Sequence, residues 1–275
     1  LGVSVVQINL ILDGIIASFL VTGSISWLYY ADRLVEFPLG AFGIALGTVT
    51  LPALSKVYSE RNTVAFSDTI DWALRWVFLI GLPASVGMAF LAHPTLLTLF
   101  GYGAFNAHDV EMARQALVAY SSGLLFFILI KVLAPGYFAR QDTRTPVKIA
   151  LVAVVVNLVF NLLLVVPFAH AGLALATAIS AGVNALLLLR GLIREKVYKP
   201  KQGWPIMCAR VAISTLIMGA VLALASKKID ISMEWLGTDR ILGLFALITV
   251  GLVTYFVSCF VLGLRLNDFR QSSST

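Results

Sequence analysis

The chain has 275 residues, of which 59% are hydrophobic and 12% are charged; its formal net charge is +6 and its mean hydropathy is +0.92. Soluble domains carry charge on about a quarter of their residues, so this composition excludes a soluble globular protein and indicates an integral membrane protein. The apolar runs are about twenty residues long and unbroken, which predicts helical spans and excludes the shorter alternating segments of a membrane barrel.

Eight membrane-spanning helices are predicted, so the fold class is an all-α integral membrane protein. In chain order they cover residues 3–20, 24–54, 71–91, 112–133, 147–166, 172–192, 206–225 and 241–264. Residues 22–24 form a tight turn between the first two spans. Pro38 should kink the second span, because proline removes an amide donor and clashes with the preceding helical turn. The basic stretch 198–204, flanked by prolines, is the clearest boundary and separates six spans from a final pair.

Lys and Arg lie mainly in alternate loops, which predicts an orientation. The loops after the second, fourth, sixth and eighth spans are basic, for example at Lys56 and Arg61. By the positive-inside rule these loops and both chain ends are cytoplasmic. The loop after the seventh span mixes Lys227, Lys228 and Arg240 with acidic residues. This asymmetry, and contact with anionic membrane lipids, explains the net positive charge, so no nucleic-acid partner is expected.

The sequence contains no catalytic spacing such as GxSxG, HExxH or a Walker loop. A membrane enzyme of lipid metabolism would need a catalytic acid, base or metal set, and we find none. His93, His108 and His170 fall in or beside the outer loops and are expected to be solvated. Cys208 and Cys259 lie in apolar runs without a CxxC spacing and are expected to be packing residues.

The second span carries charge at membrane depth. On a uniform α-helix, one arc about a quarter-turn wide contains Tyr29, Asp32, Arg33, Glu36, Gly40, Gly43 and Gly47. An ionisable residue inside a span usually faces a bundle interior or a watery cavity, where it is paired or binds a ligand. The arc is therefore a candidate binding site. The alternative is a neutralised cluster that only joins helices, since Arg33 can pair with Glu36 three residues later.

Polar residues recur at helical spacing on three further spans. They are Asn9 and Asp13, Asn157 and Asn161, and Thr177 and Asn184. Asp13, Asn157, Asn161 and Thr177 offer one carboxylate and three neutral oxygens, which suit a hard cation such as Na⁺. The alternative, which spacing alone favours, is that these side chains form hydrogen bonds between helices.

The second span also resembles a known helix. Residues 26–38 (SWLYYADRLVEFP), with Gly47-Thr48 and Leu51-Pro52, closely resemble the eighth helix of the MurJ (MviN) lipid II flippases. Matching motifs follow at Lys131-Val132-Leu133-Ala134-Pro135-Gly136, Arg140-Gln141-Asp142, Thr145-Pro146-Val147-Lys148 and His170-Ala171-Gly172-Leu173. The resemblance covers all 275 residues. It begins at the family's seventh helix, so we expect the chain to be a fragment of a longer one.

The resemblance implies a member of the multidrug/oligosaccharidyl-lipid/polysaccharide (MOP) exporter superfamily, with two six-helix lobes around a central cavity and two additional helices. Residues 1–196 would form the second lobe. Residues 197–275 would form the additional pair, with a hydrophobic groove for a lipid tail and a short cytoplasmic tail. The remaining lobe would belong to the same full-length chain, in the bacterial cytoplasmic (inner) membrane.

The implied function is a flippase, not an enzyme, that moves lipid II, the undecaprenyl diphosphate-linked peptidoglycan precursor, to the outer leaflet by alternating access. Arg33 would contact the diphosphate beside Tyr29, with Asp32 and Glu36 orienting Arg33 or forming a gate. The glycines beyond Glu36 would let a bulky headgroup pass. The alternative within the superfamily is an exporter of a drug or a polysaccharide-lipid.

The resemblance also implies a Na⁺ site at Asp13, Asn157, Asn161, the carbonyl of Leu173 and Thr177. The position of Asn161 can be Asp in that family. With one carboxylate fewer, we expect weaker sodium affinity, and Asp13 remains an alternative proton site. No cofactor other than a coupling ion, Na⁺ or H⁺, is expected.

Overall fold

The computed structural model describes residues 2–229 and 231–265, and it contains helices but no strand within them. The helices are α1 (Gly2–Ser18), α2 (Ser24–Pro38), a π-helical segment (Leu39–Ile44), α3 (Ala45–Ser59), α4 (Thr63–Phe90), α5 (Ala92–Phe100), α6 (Ala107–Ser121), α7 (Leu124–Phe138), α8 (Arg144–Arg194), α9 (Trp204–Ile229) and α10 (Gly237–Val261). The tail predicted to be cytoplasmic lies largely outside the described residues.

The predicted spans correspond to these helices, with changed boundaries. Five continuous helical stretches of the described chain are long and apolar enough to cross a membrane, and α6 with α7 forms a sixth, bent by 41°. One of the five is α8, whose 51 residues are broken at Ala169 and therefore form two spans. Together with α1, of 17 residues, this gives the eight predicted spans. The short helix α5 was not predicted.

The break in α8 folds its two arms, 144–168 and 170–194, back against each other. Ala169 has φ 49° and ψ −129°, outside the helical region. A Cβ at Gly172 would lie 2.2 Å from the carbonyl oxygen of Leu164, so only glycine allows this approach. The fold-back places residues of the first arm beside residues of the second that are about twenty positions later.

Pro38 changes the helix type without ending the span. It lacks an amide donor, and the chain widens into the π-helical segment directly after it. A π-bulge adds about one residue to a turn, so it rotates the following residues by about 100° relative to a uniform α-helix. The predicted arc of charged residues and glycines is therefore not continuous.

The glycines show the effect of this rotation. A Cβ at Gly40 would meet nothing within 4 Å, whereas one at Gly47 would lie 3.1 Å from the carbonyl oxygen of Lys131 in α7. A Cβ at Gly43 would lie 3.0 Å from Leu39 and 3.6 Å from Lys131. The prediction that all three glycines give room to a headgroup is wrong for Gly43 and Gly47, which allow α7 to pack closely.

Arg240 is a structural residue and not a solvated loop charge. It is 5% exposed, and its guanidinium donates hydrogen bonds to the carbonyl oxygens of Gly101 (3.0 Å), Trp235 (3.1 Å) and Met233. These bonds fasten the start of α10 to the end of α5. The final pair, α9 and α10, packs together, and α9 also packs on α4.

Candidate functional site

The charged stripe, defined as Tyr29, Asp32, Arg33 and Glu36, lies on an open side of α2. Nη1 of Arg33 donates to Oε2 of Glu36 at 2.5 Å, and the guanidinium carbon lies 5.0 Å from the centre of the Tyr29 ring. The side chains of Arg33 and Glu36 are 51% and 49% exposed. Asp32 has neither a hydrogen bond nor an ion pair within the described part of the chain.

The geometry of the charged stripe has features of both alternatives, a neutralised cluster and a binding site. Arg33 is paired with Glu36, as the neutralised cluster requires. However, an ion pair that is half exposed contributes little stability, and a guanidinium has five N–H donors, of which this bond uses one. The remaining donors leave Arg33 able to bind a second anionic group.

An apolar groove begins where the charged stripe ends. It has a volume of about 390 Å³ and is bounded by α4, α9, α10 and the segment around Pro38. Its lining includes Phe37, Pro38, Phe42, Trp76, Pro83, Gly87, Met218, Leu222, Leu252 and Phe256. Phe37 follows Arg33 by four residues and therefore lies on nearly the same face of α2, so the apolar groove adjoins the charged stripe.

A buried carboxylate holds the chain segment before α9 against α4. Asp71, 2% exposed, accepts hydrogen bonds from Arg75 (Nε, 2.7 Å), Trp204 (Nε1, 2.7 Å), Tyr198 (hydroxyl, 2.9 Å) and Lys201 (backbone N–H, 3.1 Å). Burial, followed by the neighbouring Asp71 charge, raises the pKa of the Tyr198 hydroxyl, which therefore stays a donor. This Asp71 clamp fixes the start of α9, and with it one wall of the groove.

The structure brings together all five positions of the predicted ion site, here named the oxygen cluster: Asp13, Asn157, Asn161, Thr177 and the carbonyl of Leu173. Nδ2 of Asn161 donates to Oδ1 of Asp13 (2.6 Å) and to Oδ1 of Asn157 (2.9 Å). Nδ2 of Asn157 lies 3.2 Å from Oγ1 of Thr177, and that hydroxyl lies 3.1 Å from the Leu173 carbonyl and 3.4 Å from Oδ2 of Asp13. Thus α1 joins both arms of α8.

One atom of the oxygen cluster is left without a partner. Asn157 and Asn161 are fully buried, and Oδ1 of Asn161 accepts no hydrogen bond from any residue that the structure describes. A buried acceptor without a donor is unfavourable by about 1–3 kcal/mol, so a cation at this point would compensate for it. One carboxylate with neutral oxygens fits a small monovalent cation. Asn9 and Asn184, which share the helical spacing, have no hydrogen bond to this cluster.

The structure corrects the expectation for one histidine. His170 is 4% exposed, and its Nε2 lies 2.8 Å from the carbonyl oxygen of Met112, which requires a proton on Nε2. Its ring packs 5.0 Å from Trp27, whose Nε1 donates to Asp109 at 2.8 Å. His93 and His108 are exposed, as predicted. The burial of His170 depends on a ring from another helix, which spacing within one span does not reveal.

Comparison with known proteins shows the family. Residues 1–238 match the family described as Lipid II flippase MurJ. The chain is 48% identical over 273 residues to the probable lipid II flippase MurJ of Haemophilus influenzae, covering 96% of this chain and 53% of that protein. It is 46% identical over 272 residues to the corresponding protein of Vibrio cholerae, covering 99% of this chain and 52% of that protein. The chain therefore spans about half the length of the curated relatives it matches.

Solved structures agree with this result. A lipid II flippase MurJ in an inward closed conformation has a TM-score of 0.77 and 26% identity, with 94% of this chain and 51% of that chain covered. An outward-facing multidrug resistance MATE transporter of the MOP superfamily has a TM-score of 0.63 at 16% identity, covering 99% of this chain and 69% of that chain, and so shares the fold. The chain belongs to the MurJ lipid II flippase family.

Proposed function

We propose that the full-length protein containing this chain moves lipid II from the inner to the outer leaflet of the bacterial cytoplasmic membrane. Family membership supports the proposal, and one structural observation carries it. The half-exposed Arg33–Glu36 pair adjoins an apolar groove that begins at Phe37. A lipid with a diphosphate at one end and a long hydrocarbon tail has the complementary chemistry.

Arg33 is the proposed phosphate contact. A guanidinium donates two parallel hydrogen bonds to phosphate oxygens, which an ammonium cannot do. The Tyr29 ring lies against the guanidinium, and Glu36 holds it when no phosphate is bound. Asp32 repels the diphosphate and favours its release. Translocation makes and breaks no covalent bond, so the protein needs no catalytic group, only two orientations of its lobes around the site.

The apolar groove is the proposed site of the lipid tail. It is lined by α4, α9, α10 and the segment around Pro38, so both the second lobe and the final helix pair contribute to it. The Asp71 clamp keeps α9 on α4 and therefore keeps the groove open beside the charged stripe. In this arrangement the tail stays in an apolar environment while the headgroup crosses.

The oxygen cluster is the proposed site of a coupling cation, Na⁺. Its five positions converge, and the buried Oδ1 of Asn161 has no partner. A cation bound there supplies positive charge that holds α1 to both arms of α8. A proton on Asp13 is the competing possibility, and an ion-binding measurement separates the two.

The experiment is lipid II translocation by the full-length protein, in cells or vesicles at equal membrane levels. Arg33→Ala should reduce translocation about 10- to 100-fold, the equivalent of one hydrogen bond to a charged group. Arg33→Lys should also be impaired, because it loses the planar fork. Arg194→Ala, at the exposed end of α8 that the loop charges predict to be cytoplasmic, is the matched control and should be active. Full activity of Arg33→Ala would contradict the assignment. Arg33-dependent export of a drug or polysaccharide-lipid instead of lipid II would favour the alternative exporter.

A further inference from the structure

Lys131 is a charged residue inside an otherwise apolar helix. It is the eighth of the fifteen residues of α7, whose sequence LLFFILIKVLAPGYF contains no other charge. Its neighbour Val132 is fully buried, whereas Lys131 is exposed. An ionisable residue at this depth in a span is a candidate functional residue, since placing it there is costly.

Contacts place Lys131 on the side of the second span that carries Gly43 and Gly47. Its Cγ lies 3.6 Å from a Cβ built at Gly43, and its carbonyl oxygen lies 3.1 Å from one built at Gly47. The aliphatic part of the side chain therefore covers Gly43, which is buried. The ammonium group has no hydrogen bond or ion pair within the described residues.

Lys131 of α7 lies beside a later part of the second span than the part that contains Arg33. Gly43 follows Arg33 by ten residues, a rise of about 15 Å. In the orientation predicted from the loop charges, this places Lys131 nearer the cytoplasmic mouth. Gly40 lies between Arg33 and Gly43 in the second span, and there is open space beside it. A headgroup that enters from the cytoplasm would meet Lys131 first.

We propose that Lys131 is a second contact for the lipid diphosphate, one that receives it before Arg33. This inference rests on the proposed function. An ammonium is a compact, hydrated point charge on a flexible stem, which suits a contact that is made and released during movement. The guanidinium of Arg33, with its planar fork, suits the position where the diphosphate is held.

A simpler role for Lys131 is to extend its ammonium to the membrane surface. Seven residues separate it from Phe138 at the end of α7, about 10 Å of helix, which a lysine side chain can partly bridge. In that case its charge would serve membrane insertion alone. The two roles differ in what happens to diphosphate binding when the charge is removed.

The test measures binding of polyprenyl diphosphate, which lacks the sugar and peptide, and translocation of lipid II by the full-length protein. Lys131→Met keeps the side-chain length and removes the charge, Lys131→Arg keeps the charge, and Lys228→Met is a control at the exposed end of α9. Lys131→Met should weaken binding about tenfold, Lys131→Arg should retain most of it, and the control should match the wild type.

The outcomes separate this inference from the proposed function. If the wild type neither binds the diphosphate nor moves lipid II, the proposed function fails. If Arg33→Ala is defective but Lys131→Met binds and transports normally, only the role of Lys131 is wrong. Equal losses in Lys131→Met and Lys131→Arg, with a lowered melting temperature in detergent, would show a packing role and also overturn it. An effect of Lys131→Met on lipid II but not on polyprenyl diphosphate would overturn the phosphate assignment.

Discussion

Arg33 and Glu36 form an ion pair that is half exposed and therefore weak, and we propose that a ligand replaces it. The pairing was expected from their spacing of three residues. The exposure was not, because it depends on which neighbouring helices cover the stripe. At the level of single residues, the sequence thus indicates which side chains can form an ion pair. The packing of neighbouring helices decides whether a ligand can reach that pair.

In the oxygen cluster, too, the sequence indicates the participating residues and the packing brings them together. Helical spacing gave Asp13, Asn157, Asn161 and Thr177 as oxygen-bearing positions on three helices, and the family resemblance added the Leu173 carbonyl. The residues meet because α8 folds back at Ala169 and α1 packs on it. Spacing within one helix contains no information about that fold-back.

Adding a carboxylate to the oxygen cluster should strengthen cation binding. Asn161→Asp places a second negative charge beside Asp13, so Na⁺ affinity should rise at least about tenfold through the added attraction. The measurement is the increase in melting temperature of the full-length protein with Na⁺ concentration, relative to K⁺. Asn184→Asp, on the other arm of α8 and not bonded to the cluster within the described residues, is the control. A Na⁺ response unchanged from wild type would contradict the cation site and favour a proton at Asp13.

At the scale of elements, the π-helical segment and the clamp determine the shape of the site. Pro38 predicted a disturbance in the second span at the correct place. It did not predict that the disturbance is a π-bulge, which turns Gly43 and Gly47 toward α7. A helical wheel at a constant 100° per residue assigns the wrong direction to side chains beyond such a bulge. The predicted arc was therefore too long.

The Asp71 clamp was not predicted, although Asp71 and Arg75 have the spacing of an ion pair on one helical face. Asp71→Asn should lower the melting temperature of the full-length protein by the equivalent of about 1–3 kcal/mol, because four donors lose their buried charged acceptor. Asp68→Asn is a matched control on the same helix: its pair with Lys201 (3.0 Å) is more exposed and contributes little. Equal melting temperatures for the two variants would contradict the prediction that the Asp71 clamp stabilises the folded protein.

For the whole molecule, the sequence predicted the class, the number of spans and the family, because long apolar runs and specific motifs determine these directly. The relation between the final helix pair and the lobe could not be predicted from residues alone. It depends on the buried Asp71 clamp at one end of α9 and on Arg240 at the start of α10. These contacts hold α9 on α4 and α10 on α5, and the groove lies between α4, α9, α10 and the segment around Pro38.

We propose that the charged stripe and the apolar groove bind the head and the tail of one lipid. Gly87 lies in the groove, and a Cβ there would meet only the end of Met218, at 3.8 Å, so Gly87→Leu introduces an apolar side chain into the groove at a position that accepts a Cβ. We would measure the affinity of the full-length protein for lipid diphosphates with long and short prenyl chains.

Gly87→Leu should weaken binding of the long-chain lipid at least about tenfold and leave the short-chain lipid unaffected, since only a long tail reaches the groove. Arg33→Ala should weaken binding of both lipids, and Leu224→Phe, on the exposed face of α9 outside the groove, should weaken neither. If Gly87→Leu binds the long-chain lipid as tightly as the wild type, the stripe and the groove do not bind the same molecule.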